Sequence, residues 1–408
     1  MSRWRPAPRN EMARAAIDAA EADRRARPER YRLDPDDLAA AAVKHPGDED
    51  RFEAGWREGL EQYLGSARED GRLNAFGLGM ASMTAISRLR AGATMSRCIE
   101  ADPGRVASAP DRPIFITGGW RTGTTFLFRL LATDPRLRAP LPIELGSPCR
   151  LAGTTDDERE ALIEASVARS EMLYAINPEL RAIHDSGARL AEECGLAMGA
   201  DLRNWGFSST TRLNSYSQWL AGQDLGPSYL SYRHVLQVLD RHDGRRWVLK
   251  APPHTAELPN LVAAFPGAVV VQLHRDIVET VASGASLFAV FRSMYSDEVD
   301  AADVGRFQAD QTELWFRRAA EFRADPASNA ATFVDLHYRT LVSDPVAAIT
   351  QVYAAADLDP PADPAAFVAA YHDSHPRHAH GTHRYTAADF GLDEHELRER
   401  FAFLTSTP

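Results

Sequence analysis

Three short stretches of this chain combine residue types and spacings that suit the handling of anions. The first, PIFITGGWRTGTTFLFRLL, runs from a β-branched segment through Gly118-Gly119-Trp120-Arg121-Thr122-Gly123-Thr124-Thr125 into an apolar helix. A glycine-bearing turn at a helix start lets successive backbone N–H groups converge on an oxyanion, with the helix dipole adding positive potential. The second, RWVLK followed by APPH, sets Lys250 at a strand end and His254 four residues on. Lysine neutralises a departing oxygen and histidine accepts a proton near neutral pH, a pairing suited to moving an anionic group onto a hydroxyl. In the third, Arg275 follows the run AVVVQLH, and Ser283 comes eight residues later. Arginine offers a planar fork for a second phosphate, and a helix-borne hydroxyl can donate from the other side.

These residues need a scaffold that brings strand ends together. The runs Pro113–Thr117, Trp247–Leu249, Ala268–Leu273 and Thr332–Leu336 are short, apolar and rich in β-branched residues, and turns and amphipathic helices follow them. That texture predicts an α/β fold: three layers, with a P-loop-like parallel sheet flanked by helices. In such a sheet the carboxyl ends of the strands face one crevice, so Arg121, Lys250, His254 and Arg275 are expected around it. Residues 1–104 read as a helical N-terminal extension and 105–408 as the α/β domain, with a helical insert between about 140 and 240. Asp34-Pro35-Asp36-Asp37 announces a helix start, and Thr255 is expected to cap a helix after His254. Phe52, Trp56, Leu60, Tyr63 and Leu64 recur at helical spacing and predict a core-facing stripe. Residues 1–32 interleave arginines with Ala, Glu and Asp and read as a solvated helix or arm.

Composition excludes several classes. Over 408 residues, 46 Lys plus Arg against 57 Asp plus Glu leave a net charge of −11, which disfavours a nucleic-acid binder. With 44% hydrophobic and 25% charged residues the chain is ordinary globular protein. Cys98, Cys149 and Cys194 show no CxxC spacing, so neither a disulfide scaffold nor a thiolate metal site is expected. No run approaches the roughly 20 apolar residues of a membrane span and no signal peptide is read at the N-terminus, so the cytoplasm is the expected address.

The loop's G-x-x-x-x-G-T-T spacing approaches a Walker A motif but lacks its lysine, and the cation has moved into the loop as Arg121. Together the three segments resemble the PAPS-dependent sulfotransferases, specifically the bacterial-type soluble family, with its RSGTT loop, K-S/A-P-x-H segment and R-D-x6-S segment. PSYLSYRHVLQ, YRTLVSDP and the C-terminal HGTHRYTAADFGLD extend the likeness over most of residues 50–403. The resemblance implies sulfuryl transfer from PAPS to a hydroxyl of a small-molecule or lipid acceptor, in line and without a metal. It implies that Arg121, Thr122, Gly123, Thr124 and Thr125 cradle the 5′-phosphosulfate, that Phe126 stacks on adenine, and that Arg275 and Ser283 bind the 3′-phosphate. Lys250 would stabilise the leaving oxygen and His254 would act as general base, with Glu144, His184 and Glu192 as rivals. The chain departs from animal cytosolic relatives at Arg121, where they carry lysine, and in the spacing of His254 from Lys250. Trp205, Phe207, Tyr216 and Trp219 are candidates for an apolar acceptor cleft. A P-loop-type nucleotide kinase or NTPase, and a non-catalytic PAP-binding protein, are the alternatives. The tract His372, His375, His378, His380 and His383 raises a metal-binding reading, against which the resemblance places Gly381 to Tyr385 over the nucleotide, with His383 or Arg384 near a phosphate.

Overall fold

Four of the five strands among the described residues are the β-branched runs: β1 (Ile114–Gly118), β3 (Arg246–Lys250), β4 (Val269–His274) and β5 (Thr332–His337). The fifth, β2 (Leu137–Arg138), has only two residues and follows a turn that Asp134 holds by accepting from the Arg136 N–H at 2.9 Å. The computed structural model describes residues 4–375 and 384–406. All pairings within the sheet are parallel, in the order β2-β3-β1-β4-β5. Ile116 lies level with Lys250 on one side and Val271 on the other, and Gly118 with Leu273. β1 is therefore central, and the loops leaving β1, β3 and β4 open onto one edge.

Alternation along the strands feeds two cores. Ile114, Ile116, Val269 and Val271 face the helices Thr124–Leu131 and Pro345–Ala355 in one cluster, with Leu127, Leu131, Ile349 and Val352. Phe115, Leu249 and Val270 face the other way, into a cluster shared with Leu60, Tyr63, Leu64, Ala85 and Leu89 of the N-terminal helices Trp56–Glu69 and Ala75–Ala101. The sheet and the N-terminal helices thus share one continuous core. Trp56, at the first position of its helix, is only partly buried. Asp34 caps the helix Pro35–Ala42 by accepting from the N–H groups of Asp36 and Asp37. The helix Glu11–Ala26 buries only Ala13, in keeping with a solvated N-terminal segment.

The segment between β2 and β3 is helical, its longest pieces being Asp156–Ile176 and Gly226–Leu239. The helix Ile277–Tyr295 is the one helix among the described residues long and apolar enough to cross a membrane, yet 78% of its apolar window is buried inside the protein. It lies against the helix Ala301–Ala324 and holds Trp120 of the loop edge-on to Phe288, with ring centroids 5.1 Å apart.

Candidate active site

The loop after β1 is shaped by backbone that favours glycine. Gly118 has φ +141°, and a Cβ there would stand 2.5 Å from the Leu273 carbonyl oxygen of β4. Arg121 and Gly123 take φ of +61° and +93°, turning the chain sharply into the helix Thr124–Leu131. Thr122 is buried and its hydroxyl donates to the Gly119 carbonyl at 2.9 Å, which holds the turn. Among the described residues no side chain caps the helix, so its first N–H groups are available to a ligand.

Arg275, just past β4, donates through Nη1 to the Arg121 carbonyl at 2.8 Å and through Nε to Glu279 at 2.6 Å, with its guanidinium 4.3 Å over the Tyr338 ring. Neighbouring Asp276 caps the helix Ile277–Tyr295 and pairs with Arg398 at 2.7 Å. The Arg121 side chain, whose pKa is lowered mainly by burial, bonds the Ile183 carbonyl.

β3 brings Lys250 beneath the loop. Its Nζ lies 3.2 Å from the Thr125 hydroxyl and forms an ion pair with Glu193. Thr255 does not cap a helix. Residues Pro252–Glu257 form a 3₁₀ turn, and the following helix starts at Leu258. The Thr255 hydroxyl sits 2.8 Å from that of Thr117 and accepts from the Gly118 N–H at 3.0 Å, tying the β3 loop to the end of β1. His254 is buried edge-on to Phe115, its Nδ1 is 2.7 Å from the Tyr229 hydroxyl, and its Nε2 has no hydrogen-bond partner among the described residues. Burial pushes its pKa down to about 3 against the opposing pull of Glu193, so the imidazole is neutral at pH 7.

One cleft of about 920 Å³ collects these parts. Its wall includes Arg121, Gly123, Thr124, Thr125, Phe126, His254 and Arg275, while Thr122 and Lys250 support it from behind. Ser283 is buried two turns along the helix from Arg275 and is not part of the wall. Phe126 stacks on His372 with ring centroids 5.4 Å apart and an interplanar angle of 17°. Of the candidate bases, His184 and Glu192 line the cleft 3.8 Å apart. Burial pushes the Glu192 carboxyl up, but His184, Lys250 and Ser186 outweigh it and hold it below the usual range. Glu144 lies elsewhere, clamped by Arg138 at 3.0 Å and Arg159 at 2.8 Å.

Trp205 and Phe207 line the cleft, whereas Tyr216 and Trp219 do not. Their polar tips serve the structure instead: the Tyr216 hydroxyl donates to the Leu202 carbonyl at 2.7 Å and the Trp219 indole to Glu58 at 3.1 Å. Glu193 and Tyr229 were not singled out from sequence. Each contacts a residue distant in the chain, Lys250 and His254 respectively, and only the PSYLSYRHVLQ segment pointed toward Tyr229. Among the described residues no cluster of His, Cys, Asp and Glu could hold a metal ion. His378, His380, Gly381 and His383 lie outside the described residues.

Residues 113–362, more than half of the chain, match the model of the sulfotransferase family. The chain belongs to that family. It is 26% identical over 254 residues to the omega-hydroxy-beta-dihydromenaquinone-9 sulfotransferases Stf3 of Mycobacterium bovis and Mycobacterium tuberculosis. That match covers 60% of this chain and 62% of those relatives, less than two thirds of their length. Sulfotransferase STF1 of Mycobacterium tuberculosis superposes with a TM-score of 0.77 at 30% identity, covering 90% of this chain and 98% of that one. Sulfotransferase STF9 of Mycobacterium avium shares the fold, with a TM-score of 0.78 at 22% identity over 91% and 96% of the two chains. The fold expected from the sequence, a P-loop-like parallel sheet flanked by helices, is the one these sulfotransferases have.

Proposed function

We propose that this protein transfers a sulfuryl group from PAPS to a hydroxyl of a small-molecule or lipid acceptor, acting in the cytoplasm, where its three cysteines stay reduced. The observation that carries this reading is the hydrogen bond from Arg275 to the Arg121 carbonyl, which couples the two anion-binding segments at the wall of one cleft. The residues suit such a nucleotide: an uncapped helix start, Arg121 and Arg275 in the cleft wall with Lys250 behind it, and a buried imidazole nitrogen without a partner among the described residues. PAPS supplies the activated sulfuryl group.

In this reading the amides of Gly123, Thr124 and Thr125, with Arg121, hold the 5′-phosphosulfate, and Thr122 keeps their turn closed. Phe126 takes the adenine face, and Arg275 takes the 3′-phosphate with Ser283 behind it. Lys250, already poised on Thr125, steadies charge on the leaving oxygen. His254 accepts the acceptor's proton at Nε2. That role requires the tautomer in which Nδ1 carries hydrogen and donates to the Tyr229 oxygen, so Tyr229 is a positioning residue. The transferring group bears one negative charge, for which fixed Arg and Lys donors suffice without a metal. The named acceptor of the Stf3 relatives, an omega-hydroxy lipid, and the aromatic cleft walls make a lipid or other apolar alcohol the favoured class. Incubating the protein with PAPS labelled in its sulfuryl group and a panel of hydroxyl acceptors tests this. Label passing to an apolar alcohol is the expected result. Failure to turn over PAPS with any acceptor, alongside binding of ATP with magnesium in its place, would contradict it.

A further inference from the structure

The cleft wall contains a cation that the nucleotide-binding parts do not use. Arg88 projects from the helix Ala75–Ala101 beside Tyr63, Thr84 and Phe207, all of which line the cleft. Its guanidinium lies 5.8 Å over the Phe207 ring, Nη1 bonds the Leu196 carbonyl, and Nε is buried with no hydrogen-bond partner among the described residues. Burial lowers its pKa to about 10, which leaves it charged at neutral pH. Among the described residues no carboxylate pairs with it.

The other charges of the wall are accounted for. Arg203 faces Glu58 at 3.0 Å, Arg181 pairs with Glu171, and Arg169 is solvent-exposed. The carboxylates are engaged as well: Asp185 by Arg129 at 2.8 Å, Glu257 by Arg318 at 3.0 Å, Glu193 by Lys250, and Glu192 beside His184. A guanidinium partly withdrawn from water among aromatic rings with no counter-charge is unfavourable on its own and becomes favourable when an oxyanion enters. Tyr63 and Phe207, with ring centroids 5.1 Å apart, set an apolar surface next to it.

We propose that the acceptor carries, besides the hydroxyl to be sulfated, an oxyanion such as a carboxylate or phosphate on an apolar body, and that Arg88 holds that oxyanion. This rests on the sulfuryl-transfer reading and narrows its acceptor class. The test is equilibrium binding, followed by quenching of Trp120 and Trp205 fluorescence in the cleft. The probes are an ω-hydroxy fatty acid, its methyl ester, the matching ω-hydroxyalkyl phosphate and the matching diol, all of one chain length. The acid or the phosphate is expected to bind about tenfold or more tightly than the ester and the diol, and whichever anion gains more identifies the head group. Arg88→Met should bring that ratio to about one, with Arg88→Lys retaining part of it. Equal binding of all four probes to the wild-type protein would overturn the proposal, as would a ratio that Arg88→Met leaves intact. Measured with PAP bound, so that Arg121 and Arg275 are already occupied, the wild-type ratio decides the matter even where a variant fails to fold. PAP titrated separately reports on the donor reading alone, so an absent acid preference with normal PAP binding refutes only the oxyanion subsite, and absent PAP binding refutes only the donor assignment.

Discussion

The proposed nucleotide side and the proposed acceptor side of the cleft are built in opposite ways. The nucleotide side is local: Arg121, Gly123, Lys250 and Arg275 sit at a strand end or within a few residues of one, and the register of β1, β3 and β4 aligns those ends. The acceptor side is assembled from afar, with Tyr63 and Arg88 from the N-terminal helices and Trp205 and Phe207 from the segment between β2 and β3. Strand-end geometry fixes how an anion is held, while the surrounding helices are free to set what is brought to it. Donor chemistry and acceptor choice should therefore be separable by mutation.

The largest separation is expected at the junction of the two sides. His254→Ala should lower kcat by about two orders of magnitude or more while leaving PAP affinity nearly unchanged, measured by steady-state kinetics and calorimetry. Near-normal turnover would remove His254 as the base and direct attention to His184 and Glu192. Next in size, Arg275→Ala should weaken PAP binding about tenfold or more and leave the preference among acceptors intact. A changed acceptor preference in that variant would break the division between the sides. The smallest effect is a near-absence. With His254 held near 3 in the free enzyme, its base form persists far into acid, so kcat/KM should change less than about twofold between pH 8 and pH 5. A histidine with its usual pKa near 6.5 would instead cost roughly thirtyfold by pH 5.

The same contrast decides what the sequence reveals. Val269, Val270 and Val271 announce a strand buried on both faces, and the Gly118 to Thr125 spacing announces the loop, because each signal is carried by neighbouring residues. β2 escapes notice because two residues, one of them an arginine, carry no periodicity. Thr255 looked like a cap because its position relative to the next helix can be read along the chain, whereas its bond to Thr117 crosses 138 residues. Tyr216 and Trp219 share the residue types of Trp205 and Phe207, and only long-range partners at Leu202 and Glu58 tell packing from cleft wall. Glu193 and Arg88 belong to no motif. Glu193 is read through Lys250, and Arg88 through the lack of a paired carboxylate among the described residues.

The central claim is that a single cleft grips an adenosine phosphorylated at both ends, with the β1 loop on one phosphate and Arg275 on the other. Calorimetric titration of PAP against adenosine 5′-monophosphate tests it most directly, because the two ligands differ only in the 3′-phosphate. The account predicts that PAP binds the wild-type protein about tenfold or more tightly and that Arg275→Ala removes most of that advantage. Equal affinities for the two nucleotides, or an advantage that survives the loss of Arg275, would contradict it.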